Sequence, residues 1–122
     1  MTEPANSAET LHTPAHRVVQ LKEDLIQIDD VSYQVVTNHK DGFQADALGD
    51  SFVTLLSKYD YIVGDWGFDQ LRLRGFYADG HRNANRDQYI STLADYLYEF
   101  CNFGCAYFVL AKVPMTPGQL LN

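Results

Sequence analysis

The sequence predicts an α+β fold in which helices pack on a mainly antiparallel β-sheet. Short runs rich in β-branched and aromatic residues alternate with two stretches whose apolar residues recur at helical spacing. The predicted order of elements is β-β-α-β-β-α-β. Short links between strands favour antiparallel pairing, so we expect a mainly antiparallel sheet.

The composition is that of one globular domain of 122 residues, of which 46% are hydrophobic, with a formal net charge of −7. No apolar run approaches the roughly 18 residues that a membrane span needs, and the N-terminal residues lack the apolar core of a secretory signal. We therefore expect a cytoplasmic protein with no membrane contact. The overall acidity argues against non-specific binding of duplex DNA, which requires a basic face.

Residues 1–20 and 114–122 are predicted to form flexible tails around one folded domain at residues 21–113. Both tails carry prolines and show no periodic apolar pattern. Such segments bury too little apolar surface to offset the entropy lost when they become ordered.

A hairpin and a helix are predicted at the start of the domain. β-rich runs at residues 25–28 and 31–36 flank an Asp-Asp pair that suits a two-residue turn. A helix is then expected to begin at Asp41, which has Gln44 at capping-box spacing, and to continue to about Tyr59 along one apolar stripe.

The second half of the domain is predicted to contain three strands and a helix. Residues 59–63 read as a buried strand that ends in a Gly-Asp-Trp-Gly turn. Residues 70–77 alternate between apolar and polar and predict a half-buried strand. A helix from about Thr92 to Gly104 follows, and the almost wholly apolar residues 106–113 predict a central strand.

Cys101 and Cys105 are expected to be free thiols that bind no metal. Their spacing is neither the redox Cys-x-x-Cys motif nor part of a complete zinc ligand set. With no secretion signal, a reducing compartment is expected, where small buried thiols are ordinary core residues. We expect no cofactor.

Three long motifs carry a family resemblance: His-Lys-Asp-Gly-Phe at residues 39–43, the segment 59–77, and the segment 90–110 with its core Tyr-Leu-Tyr-Glu-Phe-Cys-Asn-Phe-Gly-Cys-Ala-Tyr-Phe. Together they resemble the YutD-like family of small proteins from low-GC Gram-positive bacteria, over about residues 24–113. The resemblance implies a cytoplasmic α+β domain. Because the family is one of unassigned function, it implies neither catalytic residues nor a cofactor.

Six residues around the Leu-Arg-Leu-Arg strand form the candidate binding site: Asp65, Trp66, Asp69, Arg72, Arg74 and Tyr77. The two arginines share one face of the sheet, and the two aspartates lie across the preceding turn. If the aspartates neutralise both arginines, the cluster is structural. If one arginine stays free beside the tryptophan, it binds a phosphate or carboxylate of a partner. In that second case, replacing both arginines with Gln would remove partner binding and leave the melting temperature nearly unchanged.

The next loop can extend this basic surface. His81, Arg82 and Arg86 follow the strand, and their convergence with the strand arginines would create an anion site. The alternative is a solvated face, or pairing with the aspartates that are numerous nearby.

The sequence is best interpreted as a non-catalytic binding or regulatory module that contacts a protein or a nucleic acid such as RNA. Arg-Gly-Phe at residues 74–76 matches the opening of the RNP1 motif of RRM domains, but residues 77–79 do not continue it. The alternative is a small enzyme with a pocket near Asp65 and Arg72, although the sequence contains no P-loop, nucleophile elbow, zinc-protease motif or Rossmann glycine set.

Overall fold

Six strands form one antiparallel sheet in the computed structural model, which describes residues 15–101 and 104–113. The strands are β1 (Val18–Lys22), β2 (Leu25–Ile28), β3 (Val31–His39), β4 (Tyr61–Gly67), β5 (Gln70–Phe76) and β6 (Tyr107–Lys112). Their order across the sheet is β1-β2-β3-β6-β4-β5. The predicted α+β fold with antiparallel pairing is confirmed.

The sheet contains one strand more than the sequence predicts. β1 takes in residues 18–20, which the sequence pattern assigns to the N-terminal tail. Val18 pairs with Ile28 and packs on the core, whereas the last three residues of β1 are exposed. A strand with so few buried residues produces little periodic signal. Residues 1–14 and 114–122 of the predicted tails lie outside the described residues.

The first helix, α1 (Ala45–Ser51), is shorter than predicted, and a separate 3₁₀ turn at Thr54–Lys58 follows it. Lys40 and Asp41 have φ angles of 55° and 54°, so Asp41 lies in a turn and does not cap the helix. Gln44 occupies the N-cap position without a side-chain hydrogen bond. The tight turn after β3 therefore delays the start of the helix beyond the residue that the capping pattern indicated.

The second helix, α2 (Leu93–Tyr96), is also short and continues as a π-helical turn at Leu97–Cys101. Thr92 does not cap it, because its hydroxyl donates to the carbonyl oxygen of Tyr89 at 2.7 Å. No helix in the described part of the chain is long and apolar enough to cross a membrane.

Both faces of the sheet carry an apolar core, since successive residues of each strand point to opposite sides. The core beneath α1 includes Ile26, Leu48, Phe52, Ile62 and Phe108, with Leu71 and Leu73 at its margin. The core beneath α2 is built from Val63, Phe76 and Val109, with Leu93, Tyr96 and Leu97 packed against it. Arg72 and Arg74 alternate with the two leucines of β5 and therefore lie on the α2 side.

The cysteines differ from the prediction of free thiols. Cys101, at the end of the π-helical turn, and Cys105, just before β6, are joined as a disulfide. Gly104 has a φ of 96°, a conformation that few other residues adopt, and lies in the turn that leads back toward the sheet. The two Cα atoms are 5.4 Å apart, which is within the usual range for a disulfide.

Candidate functional site

The candidate residues lie on or beside the β4–β5 hairpin, but its turn is not where the sequence places it. β4 runs through the Gly-Asp-Trp-Gly segment as far as Gly67, and it pairs with β5 without a register shift. The turn is therefore Phe68-Asp69, with φ angles of 54° and 64°. Positive φ at both residues of a two-residue loop is typical of a type I′ turn. Consequently Asp65 and Trp66 belong to the strand and point to opposite faces of the sheet.

Asp65 is the buried centre of the site and is 0% exposed. Arg72 lies directly opposite on β5, and its Nε donates to Asp65 Oδ1 at 2.9 Å, with Nη2 in contact with the same oxygen. The Tyr96 hydroxyl donates to Asp65 Oδ2 at 2.7 Å. Arg72 also donates through Nη2 to the carbonyl oxygen of Phe100 at 2.9 Å. Because both carboxylate oxygens accept hydrogen bonds, the charge of Asp65 is compensated within the fold.

Tyr96 completes this network from α2, and it was not among the predicted site residues. Burial, reinforced by the hydrogen bond to Asp65, raises the pKa of Tyr96 to about 12. The hydroxyl therefore remains protonated and able to donate at neutral pH. The bond joins residues 31 positions apart, so no local sequence pattern could have indicated it.

Arg74 is held over aromatic rings on the same face. Its guanidinium carbon lies 5.1 Å from the Phe76 ring centroid and 5.2 Å from that of Tyr96. Its Nη2 donates to the carbonyl oxygen of Asp87 at 3.1 Å, and the Asp87 carboxylate lies 3.9 Å away. Its Nε is buried and has no hydrogen-bond partner among the described residues. Arg72 and Arg74 are thus both engaged within the fold. This geometry agrees with the alternative in which the arginine cluster is structural.

The other three candidate residues lie apart from this cluster. Trp66 points to the opposite face, where its Nε1 donates to the carbonyl oxygen of Gly42 at 2.7 Å. Tyr77 stacks on His81, with ring centroids 4.0 Å apart. Asp69 is exposed at the hairpin turn. The structure therefore brings Asp65, Arg72 and Arg74 together but does not place a free arginine beside the tryptophan.

A pocket of about 570 Å³ lies beside Arg74 on the α2 side. Its charged lining consists of two guanidiniums and three carboxylates, from Arg74, Arg86, Asp87, Asp95 and Glu99. Since the carboxylates outnumber the guanidiniums, this pocket does not have the charge of the anion site that the basic loop residues suggested. Within the described residues, no group of three or more His, Cys, Asp or Glu side chains is arranged to hold a metal ion.

Phe68, at the tip of the hairpin, is a second feature that the sequence did not reveal. The residue is fully exposed, at 102% of its reference area, and its backbone is held at positive φ. A two-residue link between β4 and β5 would have predicted that Phe68 lies in a hairpin turn. The link can be recognised only once β4 is known to extend to Gly67.

Comparisons with known proteins support this fold and the family resemblance. A family model described as "Putative antitoxin YutD-like" matches residues 27–111. A relative from Bacillus subtilis (strain 168), named "Putative antitoxin YutD", is 51% identical over 89 residues, which cover 73% of this chain and 98% of the relative.

A solved relative also has the same fold. The solution NMR structure of protein yutD from B. subtilis matches with a TM-score of 0.64 and 48% sequence identity, covering 77% of this chain and 86% of that chain. The family model spans most of the described residues, and the relative is aligned over nearly its whole length. This chain therefore belongs to the YutD-like family.

Proposed function

We propose that this chain is a non-catalytic module that acts by binding a partner protein, in the manner that the word antitoxin in the name of its relative describes. If that name also describes this chain, its partner is a toxin protein, which is one form of the binding role that the sequence suggests. We further propose that the β4–β5 hairpin is part of the contact surface. We also propose that the protein acts in the cytoplasm, whose reducing environment would favour the dithiol form of Cys101 and Cys105 over their disulfide.

The observation that carries this proposal is the internal compensation of Asp65. Its two oxygens accept hydrogen bonds from Arg72 and Tyr96, and the residue is completely buried. A general acid or base must reach the reacting group of a substrate, and this carboxylate has no free oxygen directed toward solvent. The geometry therefore favours a binding module over the alternative of an enzyme with a pocket near Asp65 and Arg72.

Charge favours a protein partner over RNA. The chain carries a formal charge of −7, and the two strand arginines are already engaged by Asp65 and Asp87. Recognition of a phosphate backbone needs free cationic side chains along the path of the nucleic acid. A partner protein with a basic surface would instead be attracted by the net charge of the chain.

Site-specific photo-crosslinking in living cells tests the proposal. The full chain is produced in B. subtilis, the organism of the relative, with benzoyl-phenylalanine at Gln70, an exposed position at the start of β5. We expect a single defined adduct that resists nuclease and is digested by protease. The matched control places the same probe at Leu55, an exposed residue of the 3₁₀ turn after α1, and should yield no such adduct.

Three outcomes would contradict the proposal. An adduct that nuclease removes would indicate a nucleic-acid partner. Equal adducts at positions 70 and 55 would indicate unspecific contact. The absence of any adduct at position 70 would indicate that the hairpin does not contact a partner.

A further inference from the structure

The tip of the β4–β5 hairpin combines two unfavourable features in one residue. Phe68 exposes its whole side chain to solvent and gains no hydrophobic stabilisation from the fold. Its backbone is held at a φ of 54°, where a bulky L-residue is strained because its Cβ approaches the backbone. Glycine or asparagine would occupy this position at lower cost.

The neighbouring residue adds to the same pattern. Asp69 also has positive φ, at 64°, so both turn residues adopt the left-handed conformation without a glycine. Type I′ turns strongly prefer Asn-Gly or Asp-Gly, and the order here is Phe-Asp. Strain of this kind is concentrated at sites that bind or switch, where surrounding structure maintains it. Regular pairing along all of β4 and β5 provides that support.

From these features we infer that Phe68 is the anchor of the proposed interface and that it inserts into a concave apolar pocket of a partner protein whose rim is basic. This inference rests on the proposed function. A projecting two-residue turn is convex, so it fits a cavity better than a flat surface. Buried aromatic side chains at the centre of an interface commonly supply most of the binding energy.

The charge of the chain favours a partner protein with a basic rim over an anionic bilayer or a second copy of the chain. Asp69 is exposed next to the anchor, and the chain has a formal charge of −7, so an anionic bilayer repels the tip. A second copy of the chain would bring the same charge and the same acidic tip to the contact. A pocket with a basic rim can accept both the ring of Phe68 and the carboxylate of Asp69.

The test separates stability from binding through Phe68→Asn, because asparagine tolerates positive φ. The melting temperature should rise by roughly 2–6 °C, since strain is relieved and no buried contact is lost. With the benzoyl-phenylalanine probe at Gln70, the yield of the protein adduct should fall by about tenfold or more. Phe68→Tyr keeps an aromatic ring and should retain the adduct, and Leu55→Asn, which removes an exposed apolar residue elsewhere, should not affect it.

Each alternative result has a distinct meaning. If Phe68→Asn retains the adduct at position 70, the anchor role is wrong while the proposed function stands. If no adduct forms with unsubstituted Phe68, the proposed function fails and the anchor fails with it. An adduct of twice the chain mass would assign the tip to a second copy. Co-sedimentation of the purified chain with phosphatidylglycerol vesicles, lost in Phe68→Asn, would assign it to a membrane. Either of these results overturns the inference.

Discussion

Replacing Arg72 with Gln is expected to destabilise the fold strongly. From the sequence, a nearly unchanged melting temperature is expected only for the alternative in which one strand arginine is free. Asp65 is fully buried and opposite Arg72, whose Nε donates to it at 2.9 Å. The variant removes the guanidinium and leaves a buried carboxylate whose remaining side-chain donor, among the described residues, is the Tyr96 hydroxyl. It also removes the hydrogen bond to the carbonyl oxygen of Phe100.

The magnitude follows from the burial of the two partners. Removing one member of a buried ion pair destabilises a protein by roughly 3–5 kcal/mol. The Arg72 side chain is 48% exposed, so water can reach part of the space it vacates, and we expect a value near the lower end, about 3 kcal/mol. For a domain of this size, that loss lowers the melting temperature by roughly 12–24 °C.

Thermal and urea unfolding measure this loss, with Arg82→Gln as the control that removes an exposed guanidinium with the same charge. Asp65→Asn combined with Arg72→Gln should be more stable than Arg72→Gln alone, because the unpaired buried charge is gone. If Arg72→Gln melts within about 2 °C of the unsubstituted protein, or if the two substitutions are additive, then Arg72 does not compensate a buried charge on Asp65.

Three further predictions concern the core. Tyr33→Phe should raise the free energy of unfolding, measured in urea, by roughly 1 kcal/mol, because the buried Tyr33 hydroxyl has no hydrogen-bond partner among the described residues. A lower free energy of unfolding in this variant would contradict the prediction. Burial is the main reason that the pKa values of Tyr33 and Tyr96 are both raised from an ordinary 10.0 to about 12. The free energy of unfolding should therefore keep the full contribution of both hydroxyls below pH 10 and lose it as the pH rises from 10 through 12. The fall should be less steep in Tyr33→Phe, which lacks one of the two hydroxyls. Gly64→Ala should destabilise the fold by roughly 1–3 kcal/mol in the same urea assay, because the new Cβ would overlap the Phe108 ring. Gly67→Ala is the control and should destabilise it less, because the nearest neighbour of its new Cβ lies 3.4 Å away.

Strands with strict alternation could be predicted from the sequence. β5 keeps Leu71 and Leu73 on one face and both arginines on the other, as the period of two requires. The hairpin of β2 and β3 was also recognisable, because two β-rich runs flank a polar pair. These patterns are local, and a window of a few residues contains all the information they need.

Features that depend on contacts between distant segments could not be predicted. The bond between Tyr96 and Asp65 spans 31 residues and exists only because α2 packs over the β4–β5 hairpin. The glycines that flank Asp65 and Trp66 indicate a turn when read locally. Gly64 is instead required within the strand, since a Cβ there would overlap the Phe108 ring from β6. The exposure of Phe68 could not be predicted for the same reason. The predicted turn at residues 64–67 begins four residues before the observed one and does not include Phe68.

The base of the β4–β5 hairpin is held by hydrogen bonds, and its tip is exposed to solvent. This difference determines how variants at each end should affect stability and binding. The base is fixed by the hydrogen bonds of Asp65 with Arg72 and Tyr96, whereas the tip exposes Phe68 about 10 Å away along the strand. A firmly held base reduces the conformational freedom that the tip would lose on binding, and that loss opposes association. Variants at the base should therefore weaken partner binding only as far as they loosen the hairpin, and stability and binding should fall together. Variants at Phe68 should separate the two properties, because the exposed ring gains no contact area from the fold and, under the proposed function, would gain it from a partner.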